Sequence, residues 1–239
     1  MALTQKAERA ALNKLIDYLD ENPEEHIPQI MELIDKLVPA SVFPAQRTAI
    51  SSAIRDRSNW YELIMRIFHL NPSMRSRLLK TLIVDANLLA WPVQQKSRER
   101  EQCNIPWAIL LDPTSACNLH CTGCWAAEYG HALNLSYDDI CSIIDQGREL
   151  GTHIYIYTGG EPMVRKRDLI RICEKYPDCA FLCFTNATLI DEEFCEDMIR
   201  VANFIPAISA EGTEATTDAR RGKGTYAKIM RAMELLRGH

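Results

Sequence analysis

Cys117-Asn118-Leu119-His120-Cys121-Thr122-Gly123-Cys124 places three thiols on one short stretch in a C-x3-C-x2-C spacing, with no fourth cysteine at ligand spacing. A four-iron cluster takes four ligands. Three thiolates from one loop therefore leave one iron open for a substrate or cofactor. Thirty-five residues after Cys124 comes Gly159-Gly160-Glu161-Pro162, directly behind the apolar run Ile154-Tyr155-Ile156-Tyr157-Thr158. Glycines in such a turn let the backbone approach a ligand closely and adopt positive φ. Its carbonyls can accept hydrogen bonds from an ammonium, and Glu161 can hold the turn or that ammonium. Taken alone, the triplet also reads as a zinc site completed by His120 or His131, since zinc usually takes four ligands, or as three buried thiols.

Outward from these motifs the pattern alternates between strand and helix, the signature of a parallel sheet. The apolar runs predict strands over Trp107–Asp112, Ile154–Thr158, Ala180–Thr185 and Phe204–Ala210. Helical periodicity predicts helices over Tyr137–Leu150, Arg167–Tyr176, Asp191–Val201 and Tyr226–Arg237. Ser136 can cap the first of these with Asp139 as its capping-box partner, and Gly151 can end it. The result is four β/α units in a right-handed wind. The cysteine loop then follows the first strand at its carboxyl end, where sites gather in β/α folds.

Residues 1–95 read as an all-α domain. Leu12, Leu15, Ile16 and Leu19 recur at helical spacing, and Ile27, Ile30, Met31, Ile34, Leu37 and Val38 do so again after Pro23 and Pro28. Further helices are expected over Gln46–Arg57, Trp60–Leu70 and Ser73–Leu89, with Pro39, Pro44, Pro72 and Pro92 at helix stops. Residues 1–35 carry three basic and eight acidic side chains, whereas residues 47–80 carry seven basic and two acidic. The basic face either meets an anionic lipid head group or acidic peptide, or is solvated and pairs with the acidic first helices. The polar run around Gln94 to Gln102 lacks a hydrophobic stripe and reads as a linker, residues 96–104. The α/β core follows over 105–239.

Of 239 residues, 47% are hydrophobic and 25% charged, an ordinary globular composition. A net charge of −5 disfavours nucleic acid as a partner. No 18-residue apolar run predicts a transmembrane helix, and the charged N-terminus lacks a signal-peptide core. Nine cysteines is an odd number, which argues against a purely disulfide framework and suits a reducing cytoplasm. Cys103, Cys141, Cys173, Cys179, Cys183 and Cys195 are scattered and read as small packing residues.

The cysteine triplet followed by Gly-Gly-Glu-Pro resembles the radical S-adenosylmethionine (radical SAM) enzymes. The resemblance covers about residues 105–237. It implies a partial (β/α) barrel and a [4Fe-4S] cluster on Cys117, Cys121 and Cys124. It further implies reductive cleavage of S-adenosylmethionine to a 5′-deoxyadenosyl radical that takes a hydrogen atom from a substrate. Family cores usually have six units, so four imply a core truncated at its C-terminus. Thr185-Asn186-Ala187-Thr188 and Ile208-Ser209-Ala210-Glu211-Gly212 resemble segments of the SPASM or twitch subgroup. Ala187 stands where glycine is usual and Glu211 where aspartate is usual. By that resemblance Gly159, Gly160, Glu161, Ser209 and Arg221 hold S-adenosylmethionine, with Arg220 competing for the role of Arg221. The aromatic residue that often precedes the third cysteine is replaced by Gly123, and Trp125 follows instead, either lining the substrate side or packing in the core. Glu128, Tyr129 and His131 are candidate substrate contacts. The implied partners are a peptide, lipid or small-molecule substrate and an electron donor such as flavodoxin or ferredoxin. The competing expectation is a non-catalytic Fe–S or zinc-binding interaction module.

Overall fold

A computed structural model describes residues 2–37 and 44–239, except for the side chains of residues 2–5 and 127–128. Val38, Pro39 and the side chain of Glu128 therefore lie outside the described residues. The chain forms two compact units, Met1–Lys80 and Thr81–His239.

Among the described residues the elements of the first unit are all helices: α1 Ala2–Glu21, α2 Pro23–Leu37, α3 Pro44–Asp56, α4 Asn59–Ile67 and α5 Pro72–Leu79. Pro23 and Pro72 occupy first turns, where a missing N–H costs nothing. Asn71 caps α5, its Oδ1 accepting from the Ser73 amide at 3.1 Å. Pro28, expected at a helix start, lies inside α2. Ile16, Ile27, Ile30 and Tyr61 are buried. The uneven charge is partly neutralised within the unit, by Asp17–Lys80, Asp20–Arg75 and Asp35–Arg47 ion pairs.

A π-type helical stretch, Lys80–Leu89, begins at the last residue of the first unit, and α6, Ala90–Glu101, follows it in the second. Most of the polar run expected as a linker is thus helical. Its packing residues are polar rather than apolar, which is why no stripe is visible. Gln94 and Ser97 are buried, and Gln94 Nε2 donates to the Gly151 carbonyl at 2.9 Å. The boundary between the compact units accordingly falls before this helix, earlier than residue 95.

Four strands follow: β1 Ala108–Leu111, β2 Ile154–Tyr157, β3 Ala180–Thr185 and β4 Phe204–Ile208. They form one parallel sheet in the order β1-β2-β3-β4. Registers pair Leu110 with Ile156, Ile156 with Leu182, and Leu182 with Ile205. Between and after the strands lie α7 Tyr137–Glu149, α8 Lys166–Lys175, α9 Glu192–Val201, α10 Glu214–Arg221 and α11 Thr225–Gly238. This is the expected partial barrel of four β/α units behind a helical region. One sheet face carries Tyr155, Tyr157, Phe181, Cys183 and Phe204, all fully buried. Tyr157 and Phe181 stack with ring centroids 5.7 Å apart. The other face carries Leu110 and Phe184, both exposed.

Local signals in the sequence act as expected. Ser136 and Asp139 form a reciprocal capping box at α7, and Gly151 has φ +90° just beyond its end. At the start of β4, Asn203 is fully buried. Its Nδ2 lies 3.0–3.1 Å from the carbonyls of Cys173, Tyr176 and Cys179, which ties the α8–β3 loop to the sheet.

Candidate functional site

Parallel strands send all four carboxyl ends to one edge of the sheet, and every motif singled out above leaves from that edge. The loop after β1 carries Cys117, Cys121 and Cys124, all free and partly exposed. The turn after β2 carries Gly159, Gly160 and Glu161. Thr185, Asn186 and Thr188 end β3, and Ser209 and Glu211 end β4.

The cysteine loop is locked to the glycine turn by backbone alone. Gly160 N donates to Thr114 O at 3.0 Å and Glu161 N to Ala116 O at 2.8 Å. A Cβ on Gly160 would stand 2.2 Å from the Ala116 carbonyl oxygen, and one on Gly159 2.7 Å from that of Thr114. Gly159 also has φ +107°. Both glycines are therefore required by close approach, quite apart from any ligand.

Glu161 was expected at the turn or at an ammonium, and the structure places it at the turn. It is 2% exposed. Its Oε1 accepts from Met163 N at 3.0 Å and Thr185 Oγ1 at 2.7 Å, and its Oε2 from Asn186 N at 2.7 Å. Burial pushes its carboxyl above the ordinary value, against the pull of these donors. The carboxylate thus ties the end of β2 to the end of β3.

A second tie reaches the cysteine loop from β3. Asn186 Nδ2 donates to Asn118 Oδ1 at 2.8 Å, and Asn118 Nδ2 to Thr188 Oγ1 at 2.8 Å. Ala187 lies between them, fully buried with φ +61°. The left-handed conformation that glycine would adopt freely is thus adopted by alanine. Asn118 was not among the expected site residues. Nothing in a sequence pairs positions 68 apart, although Asn118 stands inside the triplet itself.

A third tie comes from α10, which sequence periodicity missed because Glu214–Arg221 has no apolar stripe. Thr122 N donates to Arg220 O at 2.8 Å. Glu211 Oε1 accepts from Arg221 Nε at 3.0 Å, Arg221 Nη2 at 2.6 Å and Arg220 Nη1 at 2.7 Å. The Arg221 guanidinium holds the Glu211 carboxyl below its ordinary value. Arg221 is the deeper of the two arginines, with a side chain 14% exposed against 46%. Its charge is felt at both Cys121 and Glu161. Ser209 donates its amide to Thr185 O at 2.9 Å, and its hydroxyl makes no hydrogen bond among the described residues.

The donor set favours a cluster over a single ion. Three thiolates on one zinc at 2.3 Å would stand about 3.8 Å apart. Among the described residues, His153, Asp178 and Cys179 bring ligand atoms within 4.8 Å of one another, whereas the triplet with His120 or His131 does not. His153, Asp178 and Cys179 lie at the opposite edge of the sheet, and Arg148 already pairs with Asp178 at 2.7 Å. Within the triplet, burial raises the Cys117 thiol, with smaller upward contributions from Glu161, Cys121 and Cys124. His131 stands behind the loop, where its Nδ1 accepts from Cys117 N at 3.4 Å.

A cavity of about 380 Å³ opens beside the glycine turn, lined in part by Asp112, Ser115, Trp125, Tyr129, Gly159 and Gly160. Trp125 is 61% exposed, which removes the core reading. It meets Tyr129 edge to face at 5.8 Å. A larger cavity of about 840 Å³ runs from Asn118 and Thr188 to the start of α8 and includes none of the three thiols.

The family model described as the radical SAM superfamily matches residues 111–239. An uncharacterized protein of Archaeoglobus fulgidus is 29% identical over 62% of this chain and 36% of its own length. An AdoMet-dependent heme synthase of Methanosarcina barkeri is 31% identical over 56% of this chain and 40% of its own length. The chain thus spans well under half of these relatives. Among solved structures, Streptococcus suis SuiB bound to S-adenosylmethionine aligns with a TM-score of 0.49 at 16% identity, covering 78% of this chain and 44% of that one.

Proposed function

This chain belongs to the radical SAM superfamily, and on that premise we propose that it forms the cluster- and cofactor-binding part of a radical SAM enzyme. Cys117, Cys121 and Cys124 would hold a [4Fe-4S] cluster, and Gly159, Gly160, Ser209 and Arg221 would hold S-adenosylmethionine. The chemistry supplied by the bound cluster is one-electron reductive cleavage of the sulfonium, which yields a 5′-deoxyadenosyl radical for hydrogen abstraction from a substrate. The observation that carries this reading is the convergence of three free thiols with the Gly-Gly turn, locked together by backbone hydrogen bonds.

The remaining work falls to the chain's own residues. Glu161 positions the Gly159–Gly160 turn rather than touching the cofactor, since its carboxylate already accepts three donors. Arg221 offers a guanidinium for the methionyl carboxylate, where a planar fork suits the geometry. Glu211 holds that guanidinium against the β4 end until the ligand arrives. Asn118 and Asn186 fix the cysteine loop from the side of β3. Trp125 and Tyr129 rim the adjoining cavity and would exclude water from one side of the substrate. The substrate would be a peptide, lipid or small molecule, and a flavodoxin or ferredoxin would supply electrons. The AdoMet dependence named for the Methanosarcina barkeri relative supports the cofactor assignment.

The test is low-temperature EPR of the anaerobically reconstituted, dithionite-reduced protein, with and without S-adenosylmethionine. A reduced-cluster signal that changes on adding the cofactor is expected, as is its loss in Cys121→Ala. A signal indifferent to the cofactor, or an intact cluster in the variant, overturns the assignment.

A further inference from the structure

The first compact unit carries an apolar surface that its own packing does not use. Trp60 is 70% exposed, the highest value among the exposed large hydrophobic side chains of the described residues. Leu63 is 51% exposed and Leu70 41%. Positions 60, 63 and 67 fall within one sector of α4, and Leu70 lies just beyond its end. Trp60 and Leu63 therefore share the outward side of α4, while Tyr61 on the opposite side is 5% exposed and faces the unit's core.

The charge around this stripe has a basic excess. Arg57 lies one residue before the N-cap Ser58 and Arg66 in the last turn of α4, against Glu62 in its first turn. Arg47, Arg75 and Lys80 have carboxylate partners in Asp35, Asp20 and Asp17, and Arg55 has one in Asp56. Arg57 stacks over the Tyr61 ring at 4.8 Å. Arg57, Arg66 and Arg77 have no carboxylate partner among the described residues. The basic excess of residues 47–80 is thus only partly neutralised within the unit, and Arg66, one turn on from Leu63, borders the stripe.

We propose that α4, through Trp60, Leu63 and Arg66, docks this unit on an anionic lipid surface, with Arg57 and Arg77 of the same unit adding to the attraction. A tryptophan and a leucine raised on a helix and bordered by arginine match the chemistry of the bilayer interface. There indole and guanidinium sit at head-group level and apolar side chains enter the acyl boundary. The apolar side chains project from a helix rather than line a groove, which favours a deformable lipid surface over a shaped protein partner. The inference is independent of the radical SAM assignment.

The test is co-sedimentation of the full chain with phosphatidylcholine vesicles, with or without roughly one third phosphatidylglycerol. Expected is pelleting with the anionic vesicles alone, reversed by high salt. Trp60→Ala with Leu63→Ala should lower partitioning at least tenfold, on the order of one apolar side chain's burial. Arg66→Gln should lower it about fivefold. All three side chains are solvent-facing, and circular dichroism of the variants checks that the helices persist. Failure of the parent chain to pellet, or pelleting of the double variant like the parent, overturns the proposal. Retention on immobilised polyglutamate that depends on Trp60 and Leu63, without vesicle binding, also overturns it and assigns the surface to an acidic polypeptide.

Discussion

Replacing Gly160 with alanine should disrupt the site more than any other single methyl added to it. The new Cβ would begin 2.2 Å from the Ala116 carbonyl oxygen and 2.5 Å from that of Ser115, both main-chain atoms that no rotamer change can move. Relief to even a tight 3.0 Å contact requires the cysteine loop and the glycine turn to separate by about 0.8 Å. That stretches the Gly160–Thr114 and Glu161–Ala116 hydrogen bonds, now 3.0 and 2.8 Å, beyond useful length. Two main-chain pairs left unsatisfied cost about 1–3 kcal/mol each, so roughly 2–6 kcal/mol in all. For a unit of this size the thermal midpoint should fall by roughly 5–20 °C. A displacement near 1 Å at a reacting centre also costs on the order of 100-fold in function. The assays are thermal melting by circular dichroism and equilibrium binding of S-adenosylmethionine to the reconstituted protein. Gly224→Ala is the comparator. Gly224 has φ +80° but no atom within 4 Å of an added Cβ, so it should show only about 1–2 kcal/mol of left-handed strain and no loss of binding. If Gly160→Ala melts within about 2 °C of the parent and binds S-adenosylmethionine normally, the close-approach argument is wrong.

Glu161→Gln presents an amide to one of three donors and should destabilise by about 1–3 kcal/mol, with Glu161→Ala worse because all three lose their acceptor; urea unfolding ranks them. Asn203→Asp faces a carboxylate toward the three carbonyls at 3.0–3.1 Å and should cost about 3 kcal/mol or more, exceeding Asn203→Ala in the same assay. Arg221 depresses the Glu211 carboxyl, and the Tyr226 and Gly224 amides depress that of Asp218. Depressed carboxyls stabilise the fold above their unfolded values, and that stability is lost as pH falls through the lower folded values. Burial raises Glu161, so its contribution runs the other way, present at low pH and lost as pH rises through its folded value. The midpoint of Glu211→Gln should therefore depend less on pH than that of the parent across the acid range, measured by thermal melts at a series of pH values.

The sequence shows the strands and their flanking helices clearly because each buried element there keeps one period. Tyr155 and Tyr157 alternate on β2, Phe181 and Cys183 on β3, and Ile140, Ile144 and Gly147 recur on a helix. Ser136 and Gly151 mark the ends of α7 because capping is local chemistry. Two helices are hidden for a common reason. Gln94 and Ser97 in α6 and Thr217 in α10 are polar residues facing inward, so neither segment shows a stripe. The motifs reveal which residues gather, but not which of them touch. Glu161 looks equally suited to a turn or a ligand until Thr185 and Asn186 arrive from a different strand to engage it. Ala187 shows the limit of substitution logic, since alanine adopts the conformation that a missing glycine would put in question.

Pro206, paired in register with Cys183, bears on what can lie beside β4. Asn203 O accepts from Phe181 N and Ser209 N donates to Thr185 O. The odd-numbered residues of this strand therefore turn their polar groups toward β3, and Pro206 turns its ring nitrogen outward. Its lack of an N–H costs the existing sheet nothing. Any newcomer to that edge, whether another strand or another molecule, meets an unbroken set of carbonyls but a row of amide donors interrupted at mid-length by Pro206. An indiscriminate neighbour is thereby discouraged from zipping onto the sheet, and a legitimate one must satisfy its own facing carbonyl by a bulge, by water or by a side-chain donor at the level of Ile205 to Ala207.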